Sequence, residues 1–233
     1  MSEDSSKEIA VVFGSGGGIG FEIIQELKKS NQFSKVYGLG RNSNPNINIF
    51  DEKSYENVAN EISKHNLKIK LLINAIGFLH DDKFKPEKKF QEINIEYIKK
   101  SFSINTIPTA LILKYFTPHM ENKKKSVIAT LSARVGSISD NYLGGWYSYR
   151  ASKAALNQLI RTASIEYKRT NKNLIVVALH PGTVNTNLSM PFLRNKKYQT
   201  TEQAAKKLIN VMLNLNEKDS GLLLDYNKNT IPY

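Results

Sequence analysis

A short apolar run, a glycine-rich turn and an amphipathic helical pattern follow one another near the start of the chain. Residues 9–13 read IAVVF, which is typical of a buried parallel strand, and the glycine-rich turn 14–20 follows directly. A pyrophosphate binds against backbone N–H groups at a helix N-terminus, where side chains would hold it away. This order predicts a dinucleotide-binding α/β fold, the alternative being an ordinary flexible turn. The spacing Gly14-x-x-x-Gly18-x-Gly20 differs from the common G-x-G-x-x-G.

Strand and helix patterns alternate along the rest of the chain. Further strands are predicted at residues 36–39, 46–50 (the weakest), 69–73, 127–131, 174–179 and 221–225. The long helical pattern 95–116 contains Pro108, which predicts a kink. Such alternation over 233 residues predicts one α/β domain, 1–233, whose parallel sheet is covered on both faces. The polar residues 1–7 are predicted to be flexible.

Composition excludes several classes of protein. The chain has no cysteine, which excludes disulfide and thiolate chemistry and agrees with a cytoplasmic location. Its four histidines lack metal-ligand spacing, so no metal site is predicted. The start of the chain lacks the layout of a signal peptide, and no apolar run reaches the ~18 residues of a membrane span. The net charge of +12 is scattered without a nucleic-acid-binding motif, which favours a solvated basic surface that would still attract a polyanionic cofactor.

Tyr149 and Lys153 stand four residues apart at the start of an amphipathic helical pattern. Residues with this spacing are neighbours on one helix face. A cation held near a phenol favours the phenolate and lowers its pKa from about 10. A tyrosine tuned in this way can exchange a proton with a substrate oxygen. Because Tyr-x-x-x-Lys also occurs by chance in ordinary helices, the pair gains its weight from the glycine-rich turn.

Arg41 follows the second predicted strand, at 36–39. In dinucleotide folds an acidic residue at this position binds the ribose 2′-hydroxyl of NAD, whereas an arginine accommodates the 2′-phosphate of NADP. No acidic residue stands here, so NADP(H) is the predicted cofactor, with NAD(H) possible. The alternative is that Arg41 is an ordinary exposed loop residue.

Six motifs occur in a characteristic order along the chain. They are the turn 14–20, Asn74-Ala75-Ile76-Gly77, Asn105, the segment 131–136, Tyr149-x-x-x-Lys153 and Pro181-Gly182. In this order they resemble the short-chain dehydrogenase/reductase family, and the stretch GGWYSYRASKAALN is similar to the branch of C-factor and sniffer-type carbonyl reductases. The resemblance implies a doubly wound Rossmann fold with about seven parallel strands. It also implies an NADPH-dependent oxidoreductase that acts on a carbonyl or alcohol substrate as a homodimer or homotetramer.

The resemblance also implies residue roles. Tyr149 would protonate the carbonyl oxygen, and Lys153 would hold the nicotinamide ribose and lower the pKa of Tyr149. Asn105 would anchor a water that relays protons to Lys153. Cofactor contacts are implied for Gly14, Ser15, Gly17, Gly18, Ile19, Gly20, Arg41, Asn48, Asn74, Ala75, Gly77, Tyr149, Lys153, Pro181, Gly182, Val184 and Thr186.

The chain departs from the family at the substrate-orienting serine of Ser-x-x-Gly. Ala133 stands three residues before Gly136, where that serine is expected. Either Ser132 or a serine of the following loop supplies the hydroxyl, or no serine does. Strand side chains alternate faces, so Ser132, the preferred candidate, would point away unless the strand end bulges. The departure also leaves open a dinucleotide-binding signalling or regulatory protein with little catalysis.

The segment before Tyr149 and the loop after Pro181-Gly182 carry aromatic residues. Trp146, Tyr142 and Tyr147 are candidates for an apolar substrate pocket, the alternative being that they cover the start of the helix. Phe192, with its neighbour Leu193, is a candidate lid over the substrate.

Overall fold

The computed structural model describes residues 8–64, 67–193 and 198–233. Seven strands in these ranges form a single sheet. The strands are β1 (Glu8–Phe13), β2 (Lys35–Leu39), β3 (Lys68–Asn74), β4 (Ser126–Leu131), β5 (Leu174–His180), β6 (Leu223–Asp225) and β7 (Thr230–Ile231). Their order is β2-β1-β3-β4-β5-β6-β7. All neighbouring pairs from β2 to β6 are parallel, which confirms the predicted doubly wound fold.

Helices cover both faces of this sheet. They are α1 (Gly18–Lys29), α2 (Glu52–Ser63), α3 (Ile95–Asn105), α4 (Ile107–Phe116), α5 (Tyr147–Thr170) and α6 (Thr201–Leu213). The side chains of β1 alternate between two cores, with Val11 packing among residues of α2, α4 and α5 and Val12 among those of α1 and α6. The apolar run that predicted a buried strand therefore packs against the helices on both faces of the sheet.

The predicted strand at residues 46–50 is wrong. Ile47 is buried, but its N–H donates to Gly40 O, 3.0 Å away, and not to a neighbouring strand. The N–H of Asn48 donates to Ser54 Oγ, and that of Phe50 to Asn48 Oδ1. Because these donors are used in local turns, the segment forms a loop that leads into α2 instead of a further strand.

The seventh strand is β7, which pairs antiparallel with β6. Asp225 accepts the N–H groups of Asn227 and Asn229, and Lys228 has a left-handed φ of 67°. So short a connection can only return the chain as a hairpin. The strand number matches the prediction, but the sheet is mixed at this edge.

The predicted kinked helix at 95–116 is two helices. The break lies at Thr106, whose φ and ψ are −113° and −55°, and Pro108 stands in the first turn of α4. Proline is tolerated there because the first N–H groups of a helix have no partner within it. Among the residues described, no helix is long and apolar enough to cross a membrane.

Candidate active site

The glycine-rich turn lies between the end of β1 and the start of α1, with two very close backbone approaches. Gly14 has a φ of +81°, and a Cβ on it would lie 2.9 Å from the carbonyl carbon of Ala75. A Cβ on Gly20 would lie 2.4 Å from Gly14 O. Helix α1 starts at Gly18 without a side-chain cap from Gly17. The turn therefore presents open backbone N–H groups at a helix N-terminus, as a pyrophosphate requires.

A first cavity of about 870 Å³ extends from this turn towards the end of β2. Its lining includes the predicted cofactor residues Gly14, Ser15, Gly17, Arg41, Asn48, Ala75 and Gly77. Arg41 is exposed, and for its side chain no hydrogen bond or ion pair is found within the described ranges. Ser43 shapes this wall, since its hydroxyl accepts from Gly40 N and donates to backbone carbonyls. The cavity suits the adenosine half of a dinucleotide.

A second cavity, of about 430 Å³, lies on the other side of the turn. Its lining includes Gly17, Gly18, Ile19, Gly20, Ala75, Gly77, Ser132, Tyr149, Lys153, Pro181 and Thr186. The carboxyl ends of β3, β4 and β5 meet at this edge of the parallel sheet, where ligands bind in open α/β folds. The structure thus brings Tyr149 and Lys153 to the same cavity as the glycine-rich turn.

Tyr149 and Lys153 are both buried on the inner face of α5. Burial raises the pKa of Tyr149 and lowers the pKa of Lys153 to about 8. Lys153 Nζ donates to Leu131 O at 2.9 Å and lies 5.9 Å from the centre of the Tyr149 ring. The predicted lowering of the Tyr149 pKa is not found in this arrangement, because loss of hydration dominates.

Asn105 ends α3 behind the wall of this cavity. Its Oδ1 accepts from Phe78 N at 2.8 Å, and its Nδ2 donates to Phe78 O and Ser152 Oγ. A Cβ on Gly77 would lie 3.9 Å from Lys153 Nζ and 4.0 Å from Asn105 Oδ1. Asn105 is therefore near Lys153, but its amide holds the loop after β3 and the helix α5 together.

Ser132 and Ala133 follow directly after β4. Ser132 is buried and its hydroxyl donates to Asn157 Oδ1 on α5 at 2.7 Å. Ala133 is half-buried and has an extended backbone, with φ −145° and ψ 147°. The hydroxyl of Ser132 thus binds a helix side chain, although the residue itself borders the second cavity. A catalytic role for Ser132 stays a prediction.

Asn74, Gly182 and Val184, also predicted to contact the cofactor, are not among the described residues that line the first two cavities. Asn74 donates to Thr109 and accepts from Ile76 N, which fixes the turn after β3. Gly182 has a φ of +80°, and a Cβ there would clash with Gln199 and Tyr226. Val184 is buried, and its carbonyl accepts from Ser189 Oγ. These residues shape the turns that border the cavities.

A third cavity, of about 1200 Å³, adjoins the second and is walled by residues from 77–88 and 187–192 together with Trp146. The ring of Phe192 packs against Trp146, with ring centres 5.1 Å apart, and against His80 at 5.4 Å. Trp146 also packs against Tyr149 at 6.1 Å. Of the three aromatic residues predicted for a pocket, Trp146 lines this cavity, whereas Tyr142 is 85% exposed and Tyr147 packs on Phe90. Phe192, predicted as a lid, lies in the wall, and its role as a lid stays a prediction.

Sequence reasoning missed several residues of this region. Asn187 and Leu188 border both the second and third cavities, and Thr201 at the start of α6 borders the second. Glu87 lies in a run of charged residues that reads as solvated surface, yet it is 2% exposed. No spacing or composition signal distinguishes it from its neighbours, because only the packed loop shows which charge is buried.

The glycine turn with its open helix end, flanked by two cavities, fits a dinucleotide. The family model described as short chain dehydrogenase matches residues 8–197. This chain belongs to the short-chain dehydrogenase/reductase family. It is an NAD(P)-dependent dehydrogenase/reductase, as the order of its motifs predicted.

Relatives in this family include two curated bacterial proteins and a carbonyl reductase of known structure. The 1-hydroxy-2-glutathionyl-2-methyl-3-butene dehydrogenase of Rhodococcus sp. is 30% identical over 76% of this chain and 74% of its own length. The C-signal protein of Myxococcus xanthus is 27% identical over 61% and 82% of the two chains. The NADPH-bound carbonyl reductase from chicken fatty liver is 26% identical, covers 96% of this chain and 98% of its own, and superimposes with a TM-score of 0.84.

Proposed function

We propose that this chain is an NADPH-dependent reductase of a carbonyl compound, acting reversibly on the corresponding alcohol. The observation that carries the proposal is the position of Tyr149 and Lys153. They border the cavity that adjoins the glycine-rich turn and lie beside the aromatic pocket of Trp146 and Phe192. A titratable hydroxyl between a cofactor cavity and a pocket with both aromatic and charged walls is suited to proton transfer during reduction.

The chemistry divides between the cofactor and the protein. A bound nicotinamide supplies the hydride. The Tyr149 hydroxyl, which is protonated at neutral pH, donates a proton to the carbonyl oxygen, and burial raises its pKa further. Lys153, with its pKa lowered to about 8, still carries charge at pH 7, and its bond to Leu131 O fixes the ammonium beside the cavity. We assign to Lys153 the binding of the nicotinamide ribose.

Two neighbouring positions, Asn105 and Ala133, affect how Tyr149 and Lys153 work. The side-chain amide of Asn105 binds the backbone of Phe78 through Oδ1 and Nδ2, and Nδ2 also donates to Ser152 Oγ on α5, which holds Gly77 beside Lys153. With alanine at position 133, we assign stabilisation of the developing oxyanion mainly to Tyr149. Removing an oxyanion donor typically costs about 10²–10³ in rate, so we expect activity below that of members with the serine.

Arg41 is proposed to bind the 2′-phosphate of NADPH. It borders the adenosine-side cavity, and no carboxylate is paired with it among the residues described. A guanidinium suits phosphate because its planar donors match the phosphate oxygens. The related carbonyl reductase from chicken fatty liver was solved with NADPH bound, which agrees with this preference.

Cofactor preference is tested by thermal shift with NADPH and NADH at equal concentration. A ligand that binds the folded state alone raises the melting temperature according to its affinity. We expect the larger shift with NADPH, and we expect Arg41→Ala to weaken NADPH about tenfold or more while leaving NADH nearly unchanged, since a charge-assisted hydrogen bond contributes about 1.5–3 kcal/mol.

The matched control is Arg169→Ala, which removes an equal charge from the exposed last turn of α5. It should leave both thermal shifts as they are in the unaltered protein. An equal loss of NADPH affinity in the two variants would show that Arg41 acts only through the net charge of the protein and not by binding the 2′-phosphate. A larger shift with NADH would overturn the proposed preference.

A dinucleotide-binding regulator with little catalysis is the second candidate. The observation that favours it is Ala133, together with the engagement of the Ser132 hydroxyl by Asn157. The two candidates differ in turnover: a regulator binds the cofactor but does not reduce carbonyl compounds.

Pairing of copies through the segment 95–116, which forms α3 and α4, and through α5 also belongs to the proposal. Ile107 at the start of α4 is 49% exposed, and Ile165 on α5 is 47% exposed. Burying such side chains against a second copy would contribute hydrophobic free energy. This supports the homodimer or homotetramer that the family resemblance implies.

A further inference from the structure

The helix that carries Tyr149 and Lys153 receives no side-chain cap from its own preceding residue, a feature that it shares with α1 and α4. Helices α2, α3 and α6 are capped by the side chains of their own preceding residues, Asp51, Asn94 and Thr200. Helix α5 is preceded by Trp146, which has a left-handed φ of 54° and provides no side-chain cap. A helix start without a partner for its N–H groups is destabilised when buried.

Glu87 provides the missing cap from a distant loop. Its carboxylate accepts from Ser148 N, 3.2 Å from Oε2, and from the Ser148 hydroxyl at Oε1. Its backbone carbonyl accepts from Trp146 N at 2.5 Å. Three contacts therefore join one loop residue to the two residues that flank Tyr147, immediately before Tyr149.

Burial makes this contact costly to break. Glu87 and Ser148 are each 2% exposed. A buried carboxylate needs hydrogen-bond donors, and the positive end of a helix dipole stabilises it further. Removing the Glu87 carboxylate would take away the acceptor of both the Ser148 N–H and the Ser148 hydroxyl.

The same loop residue also connects the helix to the third cavity. Pro86 and Lys88, on either side of Glu87, border this cavity together with Trp146. Gly145, at a φ of +64°, lies against the backbone of Glu87, where a Cβ would be in ordinary contact with the carbonyl oxygen at 3.4 Å. The contact thus joins one wall of the candidate substrate pocket to the start of α5.

We propose that Glu87 is a positioning residue, which fixes Tyr149 relative to the substrate pocket by capping the helix on which Tyr149 stands. It acts through Ser148 and Trp146 and is not placed against a reacting atom. The proposal rests on the proposed function of Tyr149, because positioning has a kinetic consequence only if Tyr149 transfers the proton. Displacements of about 1 Å in a catalytic group can cost about 10²-fold in rate.

The primary test separates turnover from cofactor binding. We expect Glu87→Ala to lower kcat about 10- to 100-fold, counted per NADPH-binding site, while the Kd for NADPH changes less than about threefold. Cofactor binding should largely persist because the glycine-rich turn and Arg41 lie elsewhere on the chain, and Lys153 stands more than one turn further into α5 than Ser148. Glu87→Gln should recover most of the lost kcat, since its amide can accept from Ser148 N and donate to Ser148 Oγ.

Two further variants serve as a control and as an alternative to Glu87→Ala. Glu92→Ala is the matched control, because Glu92 accepts Lys88 N within the same loop but is exposed and has no recorded contact with α5 in the described chain. We expect its kcat to stay within about twofold of the unaltered protein. Ser148→Ala removes one donor and leaves the carboxylate, and it keeps the proposal testable if Glu87→Ala does not fold. We expect a severalfold fall in kcat for Ser148→Ala.

Hydrogen exchange provides a readout that does not depend on turnover. Amides of the first turn of α5 should exchange at least about tenfold faster in Glu87→Ala than in Glu92→Ala. If the unaltered protein reduces no carbonyl compound, this difference would still support the cap while the proposed function fails. An unchanged kcat per binding site in Glu87→Ala, or equal exchange in the two variants, would overturn the proposal.

Discussion

Tyr149→Phe is expected to lower the rate of carbonyl reduction about 10³-fold while the Kd for NADPH stays within about threefold. The substitution removes a single oxygen from a buried ring and keeps the packing against Trp146. General acid catalysis by a positioned side chain typically contributes about 10²–10⁴-fold, and the proposed mechanism, with alanine at position 133, relies mainly on Tyr149. The measurement is steady-state turnover of a reactive dicarbonyl or quinone, with cofactor binding followed by thermal shift.

Tyr147→Phe is the control for that substitution. Tyr147 lies on the same helical turn, but its ring packs on Phe90 with centres 5.6 Å apart. Removing its hydroxyl should leave turnover within about twofold. Retention of more than a tenth of the activity in Tyr149→Phe would exclude Tyr149 as the proton donor.

Gly20→Ala is expected to damage both the fold and the cofactor site. The new Cβ would lie 2.4 Å from Gly14 O and 3.3 Å from Ala75 Cβ, so the turn after β1 must move. Overpacking of this kind typically costs about 1–3 kcal/mol, which for a protein of this size lowers the melting temperature by roughly 2–12 °C. We expect NADPH to bind at least about tenfold more weakly, because the backbone N–H groups of the turn shift with it.

Gly16→Ala provides the comparison within the same turn. A Cβ on Gly16 would meet no described atom within 4 Å, and its φ is ordinary. Without cofactor, the melting temperature of Gly16→Ala should match that of the unaltered protein within about 1 °C. Similar losses of stability in the two variants would show that the close contact at Gly20 does not determine the effect.

The sequence predicted the parallel part of the fold well, because buried parallel strands are continuous apolar runs. The runs 9–13 and 127–131 lie within β1 and β4, and the alternation of elements predicted two helical layers. The segment 46–50 failed because Ile47 is buried in a loop, and burial alone does not distinguish a loop from a strand. The antiparallel β7 was missed because two residues give too short a pattern to detect.

The candidate site was also predicted only in part: the sequence indicated its motif residues but not their hydrogen-bond partners. Motif residues at fixed spacing, such as the glycine-rich turn and the Tyr149–Lys153 pair, lie together at one edge of the sheet. Hydrogen-bond partners were beyond reach, since Ser132 binding Asn157 and Glu87 binding Ser148 join positions 25 and 61 residues apart. The shift of the Tyr149 pKa was predicted in the wrong direction, because the spacing to Lys153 carries no information on how deeply the ring is buried.

The central claim is that this chain moves a hydride from NADPH to a carbonyl carbon. The most direct measurement uses NADPH carrying deuterium at the transferring position of its nicotinamide, with a panel of activated carbonyl compounds and mass spectrometry of the products. We expect one deuterium on the carbon of the newly formed alcohol, and a corresponding loss of this product in Tyr149→Phe. Tight NADPH binding without any deuterated alcohol would contradict the reductase and favour the dinucleotide-binding regulator.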